Sequence, residues 1–256
     1  MIGIFDSGLG GLTAYKELRD LLPNEKFVYF GDTGRVPYGT RSKELLTKYS
    51  KQDINFLRSM GATAILAACG TVSSVVLDEL KNEFDIPLFG VVDSSVKKAL
   101  ASTKNKIIGV IGTGATISSG SFEKKLQEGG AKEVISVACP LFVTLVENGY
   151  IDRLCEVTRS VAKDYLKKIS DAGADTLILG CTHFPIISDI IADILPGVTL
   201  INSGAEAAKD ICSLADGESG ESEFFVSDSP TNFDEVARIF LGGETVTAKK
   251  IDIEKY

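Results

Sequence analysis

The chain holds one histidine, His183, and it stands two residues after Cys181 in LILGCTHFPI, residues 177–186. A thiol and an imidazole this close form an acid–base pair: the thiolate is the reactive species, and the ring can receive or return its proton. A second cysteine, Cys69, ends AILAACGT (64–71), a segment that resembles TLILGCTH (176–183). Both thiols are followed by small or hydroxyl-bearing residues and a helix start, where free N–H groups favour a thiolate. Pro185 suits the first turn of the second of these helices. Two equivalent thiols could form a disulfide, hold a metal, or work as acid and base on opposite faces of one carbon. A reducing compartment and the lack of further ligands argue against the first two. In the third use one thiolate removes a proton, the opposite thiol returns one, and the product is the mirror image of the substrate.

That chemistry has requirements. The α-proton of an amino acid is far less acidic than a thiol of ordinary pKa, about 8.5. Its removal needs preorganised donors around the developing carbanion and little water. Carboxylates or an imidazole must also move protons on and off the thiols. Asp6 on the Cys69 side, and Glu147 or His183 on the Cys181 side, suit that task. Ser7, Thr71, Thr113, Thr116 and Thr182, with the backbone amides of Pro37-Tyr38-Gly39, could hold carboxylates and an ammonium without lysine or arginine. DSGLGGLT (6–13) contains neither GxGxxG nor GxxxxGK[ST], so it is weak as a nucleotide motif. Its glycines read as places where backbone N–H groups approach a small anion. Buried free cysteine is ordinary core material, and Cys139, Cys155 and Cys212 read that way. No CxxC pair occurs, so no metal site is expected.

The elements that must position these residues alternate throughout. Short β-branched runs at 2–5, 27–30, 64–68 and 88–92 are separated by helical patterns at 11–22, 42–59 and 73–83. Strands at 107–111, 134–138, 176–180 and 198–201 follow, with helices at 117–129, 141–149, 152–171 and 185–195. This order predicts an α/β fold with mainly parallel sheets covered by helices. IGIFDSG (2–8) resembles IGVIGTG (108–114) at an offset of 106 residues, and the two cysteines are offset by 112. The halves therefore read as two pseudo-symmetric α/β domains, with the active site in the cleft between them. The tail contributes helical patterns at SGAEAAKDICSLA (203–215) and TNFDEVARIFLGG (231–243) around a strand, EFFVS. It is expected to pack back on the first domain, giving residues 1–92 plus 205–256 and residues 93–204, with linkers near 93–105 and 202–204. Ligands of open parallel sheets bind beyond the carboxyl ends of the strands, where Asp6, Asp32, Cys69, Thr113 and Cys181 fall.

Bulk properties bound the function. The 256 residues carry a net charge of −8, which argues against a broad nucleic-acid surface or an anionic membrane partner. No apolar run approaches the roughly 20 residues of a membrane span. MIGIFDSGLGG lacks the basic and apolar regions of a signal peptide, so a cytoplasmic location with reduced thiols is expected.

The sequence closely resembles the glutamate racemases of the cofactor-independent aspartate/glutamate racemase superfamily. The resemblance runs through IGIFDSGLGGLT, YFGDTGRVPYGTRS, ACGTVS, IGTGATISS, CPLFVTLVENG, LILGCTHFP and SGAEAA, and so covers nearly the whole chain. It implies that Cys69 and Cys181 are the catalytic cysteines, serving the D- and L-enantiomer respectively. It implies that Asp6, Glu147 and His183 assist them, and that Ser7, Pro37, Tyr38, Gly39, Thr71, Thr113 and Thr182 hold the substrate. It further implies supply of D-glutamate for peptidoglycan, no cofactor, and a homodimer. One departure touches the site: the family usually reads CNT where this chain reads CGT. Gly70 thus removes a carboxamide, which predicts weaker binding or a shifted side-chain preference unless water or Ser73 compensates. Two alternatives remain, a racemase for another amino acid such as aspartate and a non-catalytic amino-acid-binding paralogue.

Overall fold

The structure is a computed structural model and describes residues 1–217, 219–228 and 233–256. Its strands are short, and most are buried apolar runs. They are β1 (Ile2–Asp6), β2 (Phe27–Gly31), β3 (Ala64–Ala67), β4 (Leu88–Gly90) and β5 (Ile107–Gly112). They continue as β6 (Glu133–Ala138), β7 (Thr176–Leu179), β8 (Thr199–Asn202), β9 (Glu223–Val226) and β10 (Ala248–Lys250). One sheet has the order β10-β9-β2-β1-β3-β4, the other β6-β5-β7-β8. Every ladder in both is parallel. The shared core order, β2-β1-β3-β4 against β6-β5-β7-β8, makes β3 the counterpart of β7. Cys69 and Cys181 each follow their strand by two residues. β1 is buried at all five positions, as a strand covered on both faces must be.

The tail joins the first sheet, β9 pairing with β2 and β10 with β9. The helix expected over 231–243 spans Phe233–Leu241, and Thr231 and Asn232 lie outside the described residues. The expected linker near 93–105 is instead mostly a helix, Val91–Ser102. Its small residues suggest a connection, yet Val91, Val92, Val96 and Ala99 fall on one buried face, which is helical spacing. At the second expected linker, Asn202 caps helix Ser203–Ile211, accepting from the amides of Gly204 at 3.1 Å and Ala205 at 3.2 Å. The pattern at 117–129 divides into Gly114–Ser118 and Ser121–Glu128 at Gly120, whose φ of 66° breaks the helix. No described helix is long and apolar enough to cross a membrane.

Candidate active site

A cavity of 410 Å³ opens where the carboxyl edges of the two sheets face each other. From the first half it is lined by Ser7, Pro37, Tyr38, Gly39, Cys69, Gly70 and Thr71, and from the second by Thr113, Glu147, Cys181, Thr182 and His183. Two expected site residues do not line it, Asp6 and Thr116. Both are buried one layer behind the wall.

Cys69 stands at the N-terminus of the helix Gly70–Val75, and its thiol donates to Ser7 Oγ at 3.7 Å. Burial pushes this thiol up to about 12 and the nearby Asp6 carboxylate adds to the effect, while the Val72 amide and Ser7 pull the other way. Burial also raises Asp6, against the pull of His183 and the amides of Gly8 and Gly11. One Asp6 oxygen accepts from Gly8 N–H at 3.1 Å; the other, Oδ1, has no partner among the described residues. The Gly8 carbonyl in turn accepts from the Tyr29 hydroxyl at 2.8 Å. Gly8, next to Ser7, is therefore held through both its N–H and its carbonyl.

The Cys181 side is built differently. Its sulfur lies 3.7 Å from His183 Nδ1, and His183 Nε2 lies 2.9 Å from Glu147 Oε1. Burial disfavours a charged ring, but hydrogen bonds to Cys181 and Glu147 and their negative charge outweigh it, pushing His183 up to about 10. The His183 side chain is 8% exposed and that of Glu147 46%, so the chain thiol–imidazole–carboxylate leads from the buried site to water. The ring also rests edge-on against Phe240, centroids 5.0 Å apart.

A line of hydroxyls runs from the first half to the second. Thr71 and Thr113 meet across the cleft at 2.9 Å, and Thr113 meets Thr116 at 3.0 Å. Thr113 caps Gly114–Ser118, and Thr116 is buried in its first turn, so Thr116 orients Thr113 and does not face the cavity. The Pro37-Tyr38-Gly39 wall follows a cis Val36–Pro37 peptide and rests on a buried network. The Tyr38 hydroxyl donates to Asp32 and stands 3.1 Å from Asp53 Oδ2; Arg35 pairs with Asp32 at 2.6 Å and Asp53 at 3.1 Å. Burial, and then Asp32, raise Asp53 well above the usual carboxylate range, with Arg35 and Tyr38 opposing.

The glycines of DSGLGGLT divide between the cavity and the packing behind it. Gly8 lines the cavity, but Gly10 and Gly11 do not. A Cβ on Gly10 would overlap Thr182 Oγ1 and lie 2.8 Å from His183 Nδ1, and one on Gly11 would lie 2.5 Å from Asp6 Cβ. They make room for Thr182, His183 and Asp6. Ser73 does not replace the carboxamide missing at Gly70, because its hydroxyl donates to the Ala67 carbonyl at 2.9 Å and accepts from Val91 N–H at 3.2 Å. Val36, Thr40, Gly114, Pro140, Val143, Thr144 and Gly180 also line the cavity and were not expected from the sequence. Thr144 was open to inference, since it stands three residues before Glu147 on one helix face. The lining contains no lysine or arginine, and no group of three or more described His, Cys, Asp or Glu residues is placed to hold a metal.

The chain is similar to known proteins along most of its length. The sequence profile of the Asp/Glu/Hydantoin racemase family matches residues 15–211. The glutamate racemase of Aquifex aeolicus (strain VF5) is 47% identical over 244 residues, covering 95% of this chain and 94% of its own. That of Persephonella marina is 41% identical over 256 residues, covering 99% and 98%. The crystal structure of glutamate racemase from Francisella tularensis subsp. tularensis SCHU S4 in complex with D-glutamate superposes with a TM-score of 0.91 at 37% identity, covering 100% of this chain and 98% of that one.

Proposed function

The chain belongs to the Asp/Glu/Hydantoin racemase family, and from that premise we propose that it interconverts L- and D-glutamate by two-cysteine proton transfer. The observation that carries this reading is the position of Cys69 and Cys181 at equivalent strand ends across one cavity. The naming of full-length relatives as glutamate racemases supports the substrate. The α-carbon sits between the thiols. From L-glutamate, the Cys181 thiolate takes the α-proton, the electron pair stays on the α-carbon as a carbanion, and the Cys69 thiol delivers a proton to the opposite face. The enzyme is left with a Cys181 thiol and a Cys69 thiolate. His183 and Glu147 on one side and Asp6 on the other restore the starting protonation with water. The reverse direction exchanges the two roles.

Ser7, Thr71, Thr113, Thr182 and the N–H groups of Tyr38 and Gly39 hold the carboxylates and ammonium, Pro37 shapes the wall beside them, and Thr116 orients Thr113. The reaction proceeds without a cofactor. D-glutamate made in this way supplies peptidoglycan, in the cytoplasm, from a homodimer. Each subunit has a first domain of residues 1–92 and 205–256 and a second of 93–204.

The test is incubation of the purified, thiol-reduced protein with L-glutamate in D₂O without added cofactor. Optical rotation and the α-proton signal should decay together to a racemic, α-deuterated product. No change in either would overturn the reading, and turnover of aspartate alone would correct the substrate.

A further inference from the structure

Gly70 is the first residue of its helix and directly follows Cys69; Gly180 directly precedes Cys181. The two glycines touch across the cleft. A Cβ on Gly70 would overlap the Gly180 carbonyl oxygen, lie 3.1 Å from the carbonyl carbon and 3.8 Å from Cys181 Cα. Neither backbone is free to yield. Gly180 N–H donates to the Ile111 carbonyl at 2.8 Å, which fixes it to β5. The Gly70 helix is fixed to its own sheet through Ser73, which bonds Ala67 and Val91. Each side is anchored in a different sheet, so an added side-chain atom must separate the two sheet edges.

We propose that the missing Cβ at Gly70 sets the width of the cleft, letting the backbone beside Cys69 close onto the backbone beside Cys181. This rests on the racemase reading above. It also reverses the expectation that Gly70 merely lacks a substrate contact. In this chain an asparagine at position 70 has no room in the closed cleft, and its carboxamide would come with a wedge. Two-sided proton transfer is sensitive to that wedge, because a misplacement of about 1 Å can cost roughly 100-fold in rate. A single thiol can still take a proton and return one to the same face when the cleft is wider; delivery from the opposite thiol fails first.

The experiment compares wild type with Gly70→Ala and Gly70→Asn in D₂O. It measures inversion and α-deuteration with retained configuration, alongside thermal melting. Both variants should lose about 10- to 100-fold in inversion while deuteration with retention falls much less, so the ratio of retention to inversion rises. A merely less stable protein would lose both in parallel. Gly39→Ala provides an independent wedge, since its Cβ would lie 3.0 Å from Thr113 Cβ across the same cleft, and should raise the ratio by less. If the Gly70 variants do not fold, a wild-type ratio in folded Gly39→Ala overturns the proposal. So does a Gly70→Asn enzyme with improved kcat/KM. Wild type that neither exchanges nor inverts would overturn the racemase reading and this one with it; wild type that inverts beside Gly70→Ala at an unchanged ratio would overturn this one alone.

Discussion

His183 Nε2 and Glu147 Oε1 stand 2.9 Å apart, and the other ring nitrogen faces the Cys181 sulfur at 3.7 Å. Among the described residues Cys69 has no such partner. Its neighbours are the Ser7 hydroxyl and, behind it, the sealed Asp6 carboxyl. The two halves share a strand order but surround their cysteines with different groups.

Removing the carboxylate should therefore act on one side. Glu147→Gln is expected to lower turnover from L-glutamate by about 100-fold, the low end for a positioned proton-transfer group, and turnover from D-glutamate by less. His183→Asn should show the same imbalance. Because Glu147 helps hold His183 up near 10, the variant should also move the alkaline limb of the L-glutamate pH profile downward. Steady-state rates in both directions across pH check this, and equal losses would remove His183 from the Cys181 side.

Cys69→Ser and Cys181→Ser should each abolish racemisation while leaving glutamate binding within a few-fold of wild type by calorimetry. Both cysteines are buried side chains of similar size to serine, so the exchange leaves little cavity. Near-full turnover in either variant would contradict the two-base scheme.

Stability should fall as pH rises. His183 goes from 6.5 to about 10 on folding and Cys69 from 9.0 to about 12, so the folded state binds more protons than the unfolded chain over both intervals. The His183 contribution is complete below pH 6.5 and is lost as pH climbs toward 10. Each kcal/mol lost corresponds to about 2–4 °C for a chain of this size, so Tm should drop by at least roughly 5 °C between about pH 6.5 and about pH 9.5. Calorimetry across that range checks it, and His183→Asn should flatten the slope.

Arg35→Met should destabilise the protein by about 3–5 kcal/mol, because it leaves the Asp32 and Asp53 carboxyls buried without their cation. The Pro37–Gly39 wall rests on that network through Tyr38, so KM should rise more than kcat falls. Urea unfolding and steady-state kinetics separate the two effects.

With no lysine or arginine in the cavity lining, the KM for glutamate should change less than about 2-fold between 50 mM and 500 mM sodium chloride. A steep rise with salt would mean that a distant cation holds the substrate.

The alternation of elements, the duplication and the paired cysteines were legible because each is a local pattern: a period of two or 3.6, or a repeated string. The helix Val91–Ser102 was hidden by its serines and alanines, whose burial depends on what packs against them. Thr116 and Thr113 look equivalent in ATISS and IGTG, and only the helix cap decides which faces the cavity. Gly70 and Gly10 were the least legible. A glycine records an absent atom, and what excludes that atom lies more than a hundred residues away in the other half.

A single imidazole in a chain without tryptophan makes the protein its own spectroscopic probe. Uniformly ¹⁵N-labelled wild type has one histidine ring, so one set of ring nitrogen resonances reports tautomer, charge and hydrogen bonding beside Cys181, with no assignment to perform. Substrate, inhibitor or pH can be titrated against that signal in the unaltered enzyme. The proton inventory of half the active site is then visible directly, where most enzymes would require selective labelling or mutation to isolate it.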